Sequence, residues 1–213
     1  MAPEYKNKIK HLYVTGDSFV FGHGLKGHDY SNFYNFTPEL RHTCYTGIIA
    51  DTWGVNGYTN TALPGGSNDR MYRMVMQDIP ELLRDIHPSE LFVHIGLSDP
   101  SRTEFYSTVG KYYTPFLSNN RPLKGSYDHV YSFWEIYTAY FDDVVEHVDR
   151  YTMQVVNLQN FLKSLGIPYL ITNAVTPCKE FTDVFNAGPQ GLKSIIDKTR
   201  YLYDGISFTQ FVE

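Results

Sequence analysis

The sequence predicts an α/β fold, a three-layer α/β/α sandwich on a mainly parallel sheet, and three observations carry that expectation. Short apolar runs alternate with segments of helical period, the order expected of a parallel sheet covered by helices on both faces. Residues 91–97, Leu-Phe-Val-His-Ile-Gly-Leu, are mainly apolar on both alternating faces, as a strand buried on both sides requires. At 213 residues the chain is long enough to fill one core and short for two, so a single domain over 1–213 is expected.

The elements follow in order. Leu12, Tyr13 and Val14 lie in a first strand over 11–15, which breaks at Gly16-Asp17-Ser18. Residues 27–38 form a polar, aromatic stretch of no clear period, read as a surface loop. Tyr45, Ile48, Ile49 and Trp53 stand at helical spacing over 44–53, and Gly54 and Gly57 end that pattern. A second strand near 58–62 runs into Leu63-Pro64-Gly65-Gly66-Ser67-Asn68, a dense turn signal. Met71, Met74, Val75, Ile79, Leu82 and Leu83 mark one side of a helix over 69–83, with Pro88 as its stop. The strand at 91–97 exits through Ser98-Asp99-Pro100. Residues 103–131, rich in Tyr, Pro, Asn and Gly, read as an insertion on which function is expected rather than as framework. Over 134–165 the apolar steps predict one long helix or a broken pair, closed by Gly166-Ile167-Pro168, and Asp142, Asp143 and Glu146 read as its wet face. Residues 169–173 are the next strand.

Composition narrows the function classes. A hydrophobic content of 42% with 19% charged residues is that of a globular chain. The net charge of -5 supplies no basic footprint for a phosphate backbone, so nucleic acid is a poor partner and polyanionic substrates are disfavoured. No stretch approaches the ~20 apolar residues of a membrane span, and the polar first ten residues lack the apolar run of a secretory signal. The expected location is the cytoplasm, or a particle made in one, with no membrane partner. Cys44 and Cys178 are too few for a disulfide framework and read as buried thiols. The eight histidines show no tight spacing with acids, so no metal or other cofactor is expected. Eighteen Tyr and fourteen Phe either line the core edge or form a surface for sugars, bases or another protein, a homo-oligomer included.

Three strand-exit turns carry polar or glycine residues able to converge at the carboxyl edge of the sheet, where ligands bind in such folds: Gly16-Asp17-Ser18, Gly65-Gly66-Ser67-Asn68 and Gly96-Leu97-Ser98-Asp99. A serine hydroxyl presented at a strand end can attack a carbonyl, and nearby backbone N–H groups can hold the oxyanion that develops. The first turn, in a Val-Thr-Gly-Asp-Ser-Phe setting, resembles block I of the SGNH/GDSL hydrolases, whose serine is the nucleophile. The turn at 65–68 is similar to block II, in which a glycine amide joins the oxyanion hole, and the turn at 96–99 stands where block III carries Gly-x-Asn-Asp. The resemblance runs in order from about residue 11 to residue 99, and only block I is near literal. It implies a flavodoxin-like sheet, Ser18 as nucleophile, and an oxyanion hole from Gly65 or Gly66 with Ser98. Asp17, Asn68, Asp99 and Arg102 are further binding candidates; Arg102 either orients a substrate anion or pairs with Glu104. Ser98 reads equally as a helix cap before residues 100–102. The Tyr, Asn and Phe bias with this turn set also resembles uncharacterised bacteriophage proteins.

Two departures stand against the family pattern. Ser98 replaces an asparagine whose amide donates to the oxyanion, and loss of one such donor costs roughly 100- to 1,000-fold in rate. The closing Asp-x-x-His has only Asp204 as its acid, with Ser207 in the histidine's place, and no histidine follows His147. Without a base a serine is a weak nucleophile. His23, near Ser18 in sequence, is one substitute; His94 reads as a core residue. Two expectations follow. Either a C-terminal segment carrying the histidine is missing from the chain, which the abrupt close after Asp204 favours, or the fold serves binding without catalysis. The first makes the protein an esterase for an acyl or acetyl ester, a small molecule or a carbohydrate; the second makes it a binding or virion-associated structural module that uses the 103–131 segment.

Overall fold

The computed structural model describes residues 8–29, 32, 35–117, 128–175, 179–187 and 191–202. Within them the strands are β1 (His11–Gly16), β2 (Gly57–Asn60), β3 (Leu91–Leu97), β4 (Arg102–Ser107), β5 (Tyr112–Leu117), β6 (Tyr169–Asn173) and β7 (Tyr201–Leu202). The helices are α1 (Ser18–Phe21), α2 (Pro38–Thr43), α3 (Tyr45–Trp53), α4 (Asn68–Leu82), α5 (Asp128–Tyr140), α6 (Val144–Ser164), α7 (Lys179–Ala187) and α8 (Gly191–Ser194). Five strands form one sheet in the order β2-β1-β3-β6-β7, with every neighbouring pair parallel. The expected parallel α/β sandwich is present.

Period-two alternation in β3 explains the three layers. Leu91, Val93, Ile95 and Leu97 face one core with Met71, Val75 and Ile79 of α4 and Val155, Leu158 and Leu162 of α6. Phe92 faces the other core, with Val20 and Phe21 of α1, Leu40 of α2 and Ala50 of α3. All seven residues of β3 are buried. Each large aliphatic side chain there contributes about 1.5–3 kcal/mol of burial, so the central strand anchors both halves.

Several boundaries differ from the sequence-based expectation, each for a local reason. The loop expected over 27–38 ends one residue early, at Pro38, where α2 begins because Thr37 accepts the Leu40 N–H as an N-cap and Pro38 suits the first turn. The apolar pattern over 134–165 resolves as the broken pair, with Asp143 restarting the helix by accepting from Val145 and Glu146. Asp143 is therefore a cap and not part of a continuous wet helix face. The described residues of the 103–131 segment are more regular than an insertion without framework. It holds the antiparallel hairpin β4–β5, and α5 begins inside it. Phe105 and Phe116 of the hairpin pack edge-on against Phe133 and Tyr137 of α5. The two residues of β7 are too short to leave a pattern in the sequence. Cys44 is buried and free, while Cys178 lies outside the described residues.

Candidate functional site

The three turns meet at the carboxyl edge of β1 and β3, and a pair of glycines lets them do so. Gly16 and Gly96 are register partners at the ends of those strands. A Cβ on either would fall 2.3 or 2.2 Å from Val20 Cγ2, so α1 sits closer to the sheet than any side chain there allows. Sequence reading misses this pairing, although its signal is present: Gly16 closes β1 and Gly96 is next to last in β3, each two residues before a serine.

Asp17 is the hub of the cluster. It is fully buried and caps α1 by accepting the Phe19 N–H at 3.0 Å. Its other oxygen accepts the Ser98 hydroxyl at 3.0 Å and lies 3.7 Å from Arg102 Nη1. Burial pushes the Asp17 carboxyl above its ordinary value, against the pull of the Phe19 amide, the Arg102 charge and the Ser98 hydroxyl. The second turn is of type II: Pro64 precedes Gly65, whose φ of +76° a side chain would strain, and the Gly66 N–H closes the turn on the Leu63 carbonyl at 2.8 Å. The Leu63 N–H donates to the Gly16 carbonyl at 2.9 Å, which seats this turn beside the first. Ser67 caps α4, and the buried Asn68 amide grips the third turn from both sides. Its oxygen accepts the Ser98 N–H at 2.8 Å and its nitrogen donates to the Ser98 carbonyl at 3.1 Å.

That accounting separates the candidates. Ser98 neither caps a helix nor offers a free hydroxyl, since β4 follows it and its proton goes to Asp17. Asp99 is tied into its own turn by the Ser101 N–H and hydroxyl. Gly66 spends its amide inside the turn. Arg102 does not pair with Glu104, which takes Arg73 of α4 in two bonds of 2.8 and 3.1 Å; Arg102 turns inward to Asp17 instead. Without a hydrogen-bond partner among the described residues are the half-buried Ser18 hydroxyl, the Ser18 N–H and the Gly65 N–H, as well as Nε and Nη1 of Arg102.

No histidine bonds to Ser18 among the described residues. The His23 ring lies against His28 at 4.4 Å, and His94 is buried within β3, bonded to the Thr172 hydroxyl at 3.1 Å. Burial lowers the His94 pKa to about 4, so the ring is neutral near pH 7 and serves the core. Asp204 and Ser207 lie outside the described residues. Among those described, no group of three or more His, Cys, Asp or Glu could hold a metal ion, and no helix is long and apolar enough to cross a membrane.

The model of DUF6071, a family of unknown function, matches residues 33–210, and the chain belongs to that family. No curated protein matches the chain. Among solved structures, the crystal structure of phospholipase A1 from Streptomyces albidoflavus NA297 is similar over 90% of this chain and 75% of that one, at 11% identity and a TM-score of 0.37.

Proposed function

We propose that this DUF6071 protein is a serine hydrolase of SGNH type, acting on an acyl or acetyl ester of a small molecule or carbohydrate. One observation carries the reading. In a cluster where Asp17, Asn68, Ser98 and Asp99 are all committed to holding the turns, the groups without a hydrogen-bond partner include, besides two nitrogens of Arg102, a serine hydroxyl and two amides. Those are the parts acyl transfer needs. Ser18 Oγ would form a bond to the acyl carbon, the Ser18 and Gly65 N–H groups would hold the oxyanion, and the ester C–O bond would break with a proton delivered to the leaving alkoxide. Water would then release the acyl group and restore the hydroxyl.

The base that takes the Ser18 proton belongs, by the family resemblance, at position 207, where a serine stands. Slow turnover is therefore expected, and the commitment of Ser98 to Asp17 removes a third oxyanion donor. The test is prolonged exposure to a fluorophosphonate probe with peptide mass spectrometry. Labelling at Ser18 that vanishes in Ser18→Ala supports the hydrolase. A folded chain that stays unlabelled overturns it in favour of a second reading, a non-catalytic binding or virion-associated module, which Ser207 in the histidine's place favours.

A further inference from the structure

Among the described residues of the turn cluster, Arg102 is the cation whose donors are not spent. Its side chain keeps 19% of its surface in water, and its Nε and Nη1 are enclosed without a hydrogen-bond partner. The contact with Asp17, at 3.7 Å, is an ion pair too long for a hydrogen bond, and the Asp17 oxygens take the Phe19 N–H and the Ser98 hydroxyl instead. Neighbouring carboxylates are bonded elsewhere: Asp99 accepts from Ser101, Glu104 from Arg73, and Asp69 from Thr103 and Gln154. The arginines of the adjoining helices are settled as well. Arg70 of α4 donates to the Thr61 carbonyl, and Arg150 of α6 to Glu146 and the Pro100 carbonyl. A mostly buried guanidinium with unbonded nitrogens carries a cost that a bound anion removes.

The place of Arg102 selects that anion. It follows the third turn, tied to it by its own N–H on the Asp99 carbonyl at 3.1 Å, and it faces the residue that precedes Ser18. Ordinary bond lengths then put Nη1 within about 11 Å of the Ser18 Cα. An ester with a carboxylate a few carbons from its carbonyl covers such a span. A carboxylate also suits the donors, since Nη2 forms with either orphaned nitrogen a planar pair that meets two oxygens at once. One negative charge fits better than two, because Asp17 already offsets part of the guanidinium charge and the chain carries a net -5.

We propose that Arg102 is the specificity residue of this site and that the substrate is an ester bearing a carboxylate on its acyl or alcohol part, held by the guanidinium while the ester carbonyl lies at Ser18. The proposal rests on the hydrolase reading of Ser18, so reaction and binding are measured separately. Acylation of Ser18 in the full chain is followed by mass spectrometry with two matched pairs: para-nitrophenyl hydrogen adipate against para-nitrophenyl hexanoate for the acyl side, and para-acetoxybenzoate against para-acetoxybenzamide for the alcohol side. In one pair the carboxylate ester reacts at least about 10-fold faster. Arg102→Gln lowers that ratio by about 10- to 100-fold, and Arg102→Lys, with the charge but not the fork, retains part of it. Equal rates within both pairs in the wild type overturn the proposal with no variant needed, and so does a preference that survives Arg102→Gln. Binding is read by calorimetry in Ser18→Ala, which cannot react, with monomethyl adipate and para-acetoxybenzoate. A wild type whose Ser18 is never acylated sinks the hydrolase, and calorimetry then decides Arg102 alone. Binding that Arg102→Gln weakens by about 10-fold or more upholds the anion site; no binding, or binding indifferent to Arg102, overturns it.

Discussion

The turn cluster above the parallel sheet and the arm made of the β4–β5 hairpin with α5 treat their side chains in opposite ways. In the cluster, polar groups are buried and nearly all are bonded: Asp17 to Ser98 and the Phe19 amide, Asn68 to both sides of Ser98. In the arm, rings meet edge to face, yet Phe105 and Phe133 remain about two-fifths exposed and Tyr140 almost wholly so. A buried polar group left unbonded costs about 1–3 kcal/mol, so the few unbonded groups in the cluster are informative. An exposed ring costs less to leave in place, and its meaning depends on what covers it. The polar groups of the cluster therefore lock its turns in place, whereas the rings of the arm stay partly in water.

The comparison can be broken in several places. The largest stability effect is expected beneath the cluster. Ile95→Ala in β3, fully buried, should cost about 4 kcal/mol in urea denaturation. Tyr106→Ala in the half-exposed hairpin should cost under about 1 kcal/mol, and equal losses would show that the arm is as integral as the sheet. Next, Asp17→Ala should cost about 3 kcal/mol, because it strips the α1 cap and leaves Arg102 buried without its countercharge.

The pH profile gives a comparable effect. His94 has a folded-state pKa lowered from 6.5 to about 4, so the unfolded chain binds its proton first. Its contribution is complete above the unfolded value and is lost as pH falls from 6.5 through the folded value, by up to about 3 kcal/mol. His94→Gln should flatten that part of the curve. Asp17 works in the other sense: with its folded pKa raised, its contribution is fullest below the unfolded value of 3.8 and declines as pH rises through the folded one. A smaller effect than those at Asp17 and His94 belongs to the joint between the two regions. Arg73 bonds Glu104 twice and lies 3.9 Å from the Tyr113 ring, so Arg73→Ala should cost about 1 kcal/mol and speed amide exchange in β4 and β5 ahead of β3.

The sequence by itself determined the parallel α/β order, the buried β3, and the identity of the three exit turns with Ser18 at the first, because periodicity and turn chemistry are local properties of a chain. It also held the Pro64-Gly65 pair that makes the second turn type II. Which atoms in those turns stay free was a tertiary matter. Gly65 and Gly66 are indistinguishable as letters, and only the closed turn shows that the Gly66 N–H is spent. Ser98 had the composition of a donor, yet its hydroxyl turns to Asp17, 81 residues away in sequence. Glu104 stood two residues from Arg102 but took Arg73 from α4. Hydrogen bonds between turns depend on how strands β1 and β3 come into register, a consequence of packing over long sequence separations that no local pattern encodes.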